Sequence, residues 1–106
     1  MSGPITPDDI DTVIHERVRL AMVSSLAVAP EMSFNELRTS LGITDGNLSA
    51  HARALEAADY IAIRKSFRGR RPLTTMRLTP KGRSAFQRYL QVLRRVVEGG
   101  PQEGEK

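Results

Sequence analysis

No cysteine occurs among the 106 residues, which excludes disulfides, thiolate metal sites and thiol nucleophiles together. A thiol-free chain suits a reducing compartment, and the cytoplasm is the expected location. Long apolar runs are also missing. The longest mostly apolar stretch, Leu20 to Ala29, is interrupted by Ser24 and Ser25 and falls well short of the roughly 18 residues that span a bilayer, so neither a membrane segment nor a membrane partner is expected. The first nine residues hold two prolines and two acids, without the basic region and apolar core of a secretory signal. Histidine is scarce, with only His15 and His51, and without thiolates beside them no metal site or cofactor is expected. No Ser-His-Asp order, glycine-rich phosphate loop or close carboxylate pair is present, so catalysis is not expected either.

The most informative absence is of acid. Residues 60–97 contain eleven bases and not one Asp or Glu. Residues 1–59 hold nine acids against four bases, and residues 98–106 hold three acids and Lys106, so the formal net charge of +4 hides an acidic first half and a basic second half. Solubility alone is served by faces of mixed sign. A single-signed run of 38 residues points instead to a polyanionic partner.

A content of 40% hydrophobic and 26% charged residues is that of a globular chain with one core. Residues 10–98 read as the folded domain. Residues 1–9 and 99–106, rich in Gly, Pro and acids, read as flexible tails. The spacing of Ile14, Val18, Ala21, Met22 and Leu26 predicts a helix over 12–29, ended by Pro30. Its other side (Val13, Leu20, Val23, Ala27) is apolar too and calls for additional cover, which a partner subunit could supply. Ser33 and Glu36 have capping-box spacing and predict a helix over 34–41, closed by Gly42. Thr44 caps a third helix to about Ala58, with Asp45 at its positive end. The alternation over Tyr60–Ser66, a turn at 67–72 and a return over 73–78 predict a hairpin with a basic tip. Thr79-Pro80 opens a last helix to about Glu98.

The fold class is therefore mainly α with a small β-hairpin, in the order α-α-α-β-β-α. That is the order of a winged helix-turn-helix, in which the third helix enters the major groove of duplex DNA and the hairpin touches the flanking backbone. On the third helix Leu48, Ala52 and Leu55 must face the core, with Asp59 beyond them on that side. The DNA-facing set is then Thr44, Asp45, Gly46, Asn47, Ser49, Ala50 and Arg53, with His51 at the margin. Asn suits adenine, Arg suits guanine, and small residues allow close approach. On the hairpin, Arg64, Lys65, Arg68, Arg70, Arg71 and Arg77 are suited to phosphate, and one tip Arg to the minor groove. Gly82 is read as permitting close backbone packing, and His15 as a capping or interface residue. The stripe Phe86, Tyr89, Leu90, Leu93 and Val97, with Val13 and Leu20 of the first helix, is the candidate homodimer interface.

The stretches Val13-Ile-His-Glu-Arg-Val-Arg-Leu-Ala-Met22, Leu41-Gly-Ile-Thr-Asp-Gly-Asn-Leu-Ser49 and Thr75-Met-Arg-Leu-Thr-Pro-Lys-Gly-Arg-Ser-Ala-Phe86 resemble the small winged-helix transcriptional regulators of the ArsR and MarR types over about residues 12–97. The resemblance implies a homodimer joined through its first and last helices and reading a roughly palindromic operator. Asp59 stands where these relatives commonly have glycine, and a left-handed backbone there would carry slight strain. Two other readings stay open: a winged-helix module that docks an acidic protein, and a nucleic-acid binder without sequence preference. No polar cluster marks a small-molecule effector pocket.

Overall fold

The computed structural model describes residues 4–104. After a single 3-10 turn at Pro7–Asp9, the order is α1 (Arg17–Val28), β1 (Met32–Ser33), α2 (Phe34–Leu41), α3 (Asp45–Ala57), β2 (Ile61–Arg68), β3 (Arg71–Leu78) and α4 (Pro80–Gly104). This is the winged helix fold, mainly helical, with one small antiparallel sheet in the order β1-β3-β2.

The first helix starts five residues later than its apolar spacing predicts. Two acidic caps in succession explain the delay. The Asp11 carboxylate accepts the amides of Val13 and Ile14 at 2.8 and 3.1 Å and winds residues 12–14 into a separate turn. The Glu16 carboxylate then caps α1 proper, accepting Val18 and Arg19 amides at 2.9 and 2.8 Å. Ile14 still reaches full burial from the turn, so the periodicity is satisfied without a helix. The α2 capping box forms as expected, with Ser33 Oγ accepting the Glu36 amide at 3.0 Å and Glu36 returning to the Ser33 amide at 2.9 Å. Gly42 closes α2 with φ +67, which a residue without Cβ adopts at little cost. Thr44 Oγ1 caps α3 through the Asn47 amide at 3.1 Å.

The sheet has a third strand that the sequence pattern does not predict. Met32 and Ser33 pair with Met76 and Thr75 of β3; two residues are too few to show alternation. The hairpin is also longer than expected. Phe67 pairs with Pro72 and Arg68 with Arg71, so the connection shrinks to Gly69-Arg70. Gly69 has φ +63, and positive φ at the first central position alone matches a type II′ turn. The last helix, expected to end near Glu98, continues to Gly104. Glycine lowers helix propensity by about 1 kcal/mol without forbidding helical dihedrals. Similarly, the 3-10 turn lies inside a segment read as a tail, and Asp9 there accepts the Thr6 amide at 2.9 Å.

The core gathers α1 (Val18, Met22, Val23, Leu26), Leu37, the inner side of α3, the sheet (Ile61, Met76, Leu78) and the first turns of α4 (Ala85, Phe86, Tyr89). One junction fixes the angle between α3, the wing and α4. Asp59, exposed at the end of α3, takes φ +64. Its carbonyl accepts the Thr79 hydroxyl at 2.6 Å, while that hydroxyl oxygen accepts the Gly82 amide at 2.9 Å as the N-terminal cap of α4. The Thr79 amide donates to the Tyr60 carbonyl at 3.0 Å. Gly82 lies directly on that carbonyl, and a Cβ there would come within 2.8 Å of the Tyr60 carbonyl carbon.

Candidate nucleic-acid interface

On α3, Leu48, Ala52 and Leu55 are buried, while Thr44, Asp45, Gly46, Asn47, Ala50 and Arg53 are exposed and Ser49 is half-buried. Helical periodicity puts the exposed set on the outer side once the two leucines are committed inward. Asp45 is already paired, 2.9 Å from the Arg38 guanidinium of α2, so it ties the two helices of the motif together at the positive end of α3. His51 departs from the outward set. Its Nδ1 lies 3.0 Å from Arg19 Nη1 and 3.6 Å from Glu16 Oε1, so the ring is turned toward α1. It lies three residues after Leu48 and four before Leu55, which places it on the inward flank.

The Arg19 guanidinium also donates to the Val13 carbonyl at 2.6 Å, joining the N-terminal turn, α1 and α3 in one cluster. Burial opposes the charge on Glu16. The Arg19 amide, His51, the Val18 amide and the Arg19 charge outweigh it, so the carboxyl is held below its ordinary value.

The register of the hairpin sorts the wing into two faces. Ile61, Ile63, Lys65 and Phe67 face the same way as their partners Leu78, Met76, Thr74 and Pro72; Arg64, Arg68, Arg71 and Arg77 fall on the other face. The first face looks toward α3 across an open groove of about 520 Å³, lined by Ser49, Arg53 and Glu56 on one side and Ile63, Lys65 and Thr74 on the other. The second face is arginine-rich. Arg64 is held at the base of the wing, 3.7 Å from Glu31, whose carboxylate also accepts the Thr75 hydroxyl at 2.6 Å. Lys65, Arg68, Arg70, Arg71 and Arg77 are exposed.

The apolar stripe of α4 splits in two. Tyr89 is 3% exposed and Phe86 is also buried, so both belong to the chain's own core and not to an outer surface. Tyr89 additionally hydrogen-bonds His15 Nδ1 at 2.8 Å. Leu93, Val13 and Leu20 are half-buried against the core. Leu90, Val96 and Val97 remain 40, 50 and 68% exposed. Sequence reasoning missed Arg38, which holds α3, and the Glu31 clasp on Arg64. It also missed Phe67, assigned to the turn although it continues the alternation of Ile61, Ile63 and Lys65.

Residues 18–97 match the family described as winged helix DNA-binding domain, and the chain belongs to that family. An uncharacterized protein of Methanocaldococcus jannaschii is 33% identical over 78 residues, which is 74% of this chain and 85% of the relative. The solved transcriptional regulator homologue from Pyrococcus horikoshii OT3 superposes with a TM-score of 0.78 at 29% identity, over 82% of this chain and 86% of that one. A regulator assigned to the MarR family from Enterococcus faecalis V583 gives a TM-score of 0.72 at 22% identity, over 89% of this chain and 84% of that one. The chain thus carries a winged helix DNA-binding domain, and its fold is shared with these solved regulators. Among the described residues no helix is long and apolar enough to cross a membrane.

Proposed function

We propose that the protein regulates transcription by binding a specific duplex sequence as a homodimer, with α3 in the major groove and the wing on the flanking backbone or minor groove. The observation that carries this reading is the combination of an exposed, small-residue face on α3 with a wing whose free charges are all positive, the wing being tied through β1 to the start of α2. Asn47 and Arg53 are the base-reading candidates; Ser49 and Thr44, the cap of α3, suit phosphate. Gly46 and Ala50 offer little side chain and let the helix enter deeply. Arg68, Arg70 and Arg71 neutralise phosphates, and Arg64, engaged by Glu31, contributes less than its charge suggests.

The second copy is supported by Leu90, Val96 and Val97, an exposed apolar strip on a helix whose 25 residues extend for about 37 Å. Pairing through α4, with half-buried Leu93, Val13 and Leu20 at the edge, would bury that strip. A two-fold dimer would present its two α3 helices to major grooves about 34 Å apart. The test is a titration of duplex DNA against salt, using fragments selected from random sequence. A steep slope with a preferred sequence is the expected result. A steep slope without preference assigns a non-specific binder, and no binding to any duplex overturns the reading in favour of a protein-docking module.

A further inference from the structure

We infer that the wing tip is an apolar wedge, formed by the Phe67–Pro72 pair, that enters the minor groove of duplex DNA and unstacks a base step; the inference rests on the DNA-binding reading above. Phe67 is 70% exposed, although the hairpin alternation would allow any polar residue at its position. It sits four residues beyond Ile63, the last residue on its own face of the strand that is paired with a buried partner, Met76. At about 3.3 Å per residue the ring is carried some 13 Å past the core. Nothing in the core requires an aromatic there.

The register sets the two rings together on one face of the tip. Arg68 and Arg71 close the two-residue turn, so they form the hydrogen-bonded pair, and Phe67 and Pro72 form the next, non-hydrogen-bonded pair, where side chains approach most closely. Proline fits because no amide is needed at that position, and it also prevents another strand from pairing there. The result is two stiff apolar rings on one face at the end of a narrow ribbon. Arg68 and Arg71 lie on the opposite face, Lys65 shares the face of the rings, and Arg70 sits in the connecting turn.

An exposed phenyl ring surrounded by unpaired cations suits a ligand that is polyanionic outside and apolar within. Duplex DNA has both properties: phosphates on its rims and stacked base faces between them. Proteins that insert Phe or Pro wedges from the minor groove offset the unstacking with surrounding phosphate contacts, and the flanking arginines can supply these. Flexible pyrimidine-purine steps yield most easily. The wedge would therefore add sequence preference outside the stretch that α3 reads.

The experiment uses the full chain and a selected high-affinity duplex carrying 2-aminopurine, placed in turn at each step flanking the α3 site. Wild-type protein should raise the fluorescence at one step. Phe67→Ala should abolish that rise and weaken binding roughly tenfold, within the range of one base–aromatic stack, while Phe67→Leu keeps much of both. The salt slope should not change, because no charge is removed. An unaltered melting temperature for Phe67→Ala shows that the fold is intact. Wild-type binding with no fluorescence change at any step, or equal affinity for Phe67→Ala, overturns the wedge while leaving the DNA-binding reading standing. A lower sedimentation mass for Phe67→Ala without DNA assigns the ring to a contact between copies and also overturns it. Failure of the wild type to bind any duplex overturns the DNA-binding reading itself.

Discussion

At Gly82 the Tyr60 carbonyl occupies the space of a side chain, and backbone cannot swing aside as a flexible side chain can. Alanine normally favours a helix over glycine by about 1 kcal/mol, but here overpacking dominates, and Gly82→Ala is expected to destabilise the chain by about 3 kcal/mol. A urea midpoint at or above that of the wild type would refute the close approach. Tyr60 itself gives a pH-dependent test. Burial, then the hydrogen bond it donates to Asp11, then the charge of Asp11 push its hydroxyl up to about 12, against the pull of Arg88. The folded chain thus holds that proton more tightly than the unfolded chain, where tyrosine ionises near 10. The associated stability is complete below about pH 10 and is lost between about 10 and 12. Wild-type unfolding midpoints should therefore fall more steeply across that window than those of Tyr60→Phe; parallel curves would remove the Asp11 contact. The role of Gly82 was legible in the sequence because a glycine in the first turn of a helix has few other uses. His51 and Tyr89 were less legible, since a residue on the flank of a helix is assigned to core or surface by neighbours distant in sequence, here Arg19 and His15.

The elements divide by how local their causes are. Every cap made by a Ser or Thr hydroxyl could be read from the chain, because donor and acceptor lie three residues apart. The start of α1 could not, since Asp11 and Glu16 compete to cap overlapping turns and apolar spacing does not arbitrate. Strand β1 was hidden because its partner lies more than forty residues away. The wing and α3 should be separable by mutation. Replacing Arg70 and Arg71 together by Ala is expected to weaken binding to every duplex and to lower the salt slope by roughly one unit for each phosphate that is no longer neutralised. Arg53→Ala should instead reduce the preference for the selected sequence over random duplex by about 1 to 3 kcal/mol. An unchanged slope for the first variant removes the wing from the interface. An equal weakening on both kinds of DNA moves Arg53 to the phosphates.

The whole molecule is elongated, with principal extents of 64 × 25 × 21 Å, because α4 continues well past its last buried residue, Tyr89. If that extension pairs two copies, Leu90→Glu with Val97→Glu should give a folded monomer with weaker operator binding, since both side chains are exposed in the protomer and replacing them spares its core. Light scattering that shows the wild type to be monomeric at micromolar concentration, or the variant to be still dimeric, would rule out this interface. The small strand Met32–Ser33 bears on how the elongated body meets a ligand. It joins the N-terminal end of α2 to the middle strand of the wing, and Glu31 beside it engages Thr75 and Arg64. Consequently the wing cannot swing relative to the helix-turn-helix without breaking that ladder. The entropy of aligning the two is spent during folding, and association with a ligand has only the tip beyond Thr74 left to order. Amide hydrogen exchange should show this as a step along β3: amides near the Glu31 clasp slow and exchanging only in larger openings, and those of residues 68–71 fast, with only the latter slowing when the ligand is added.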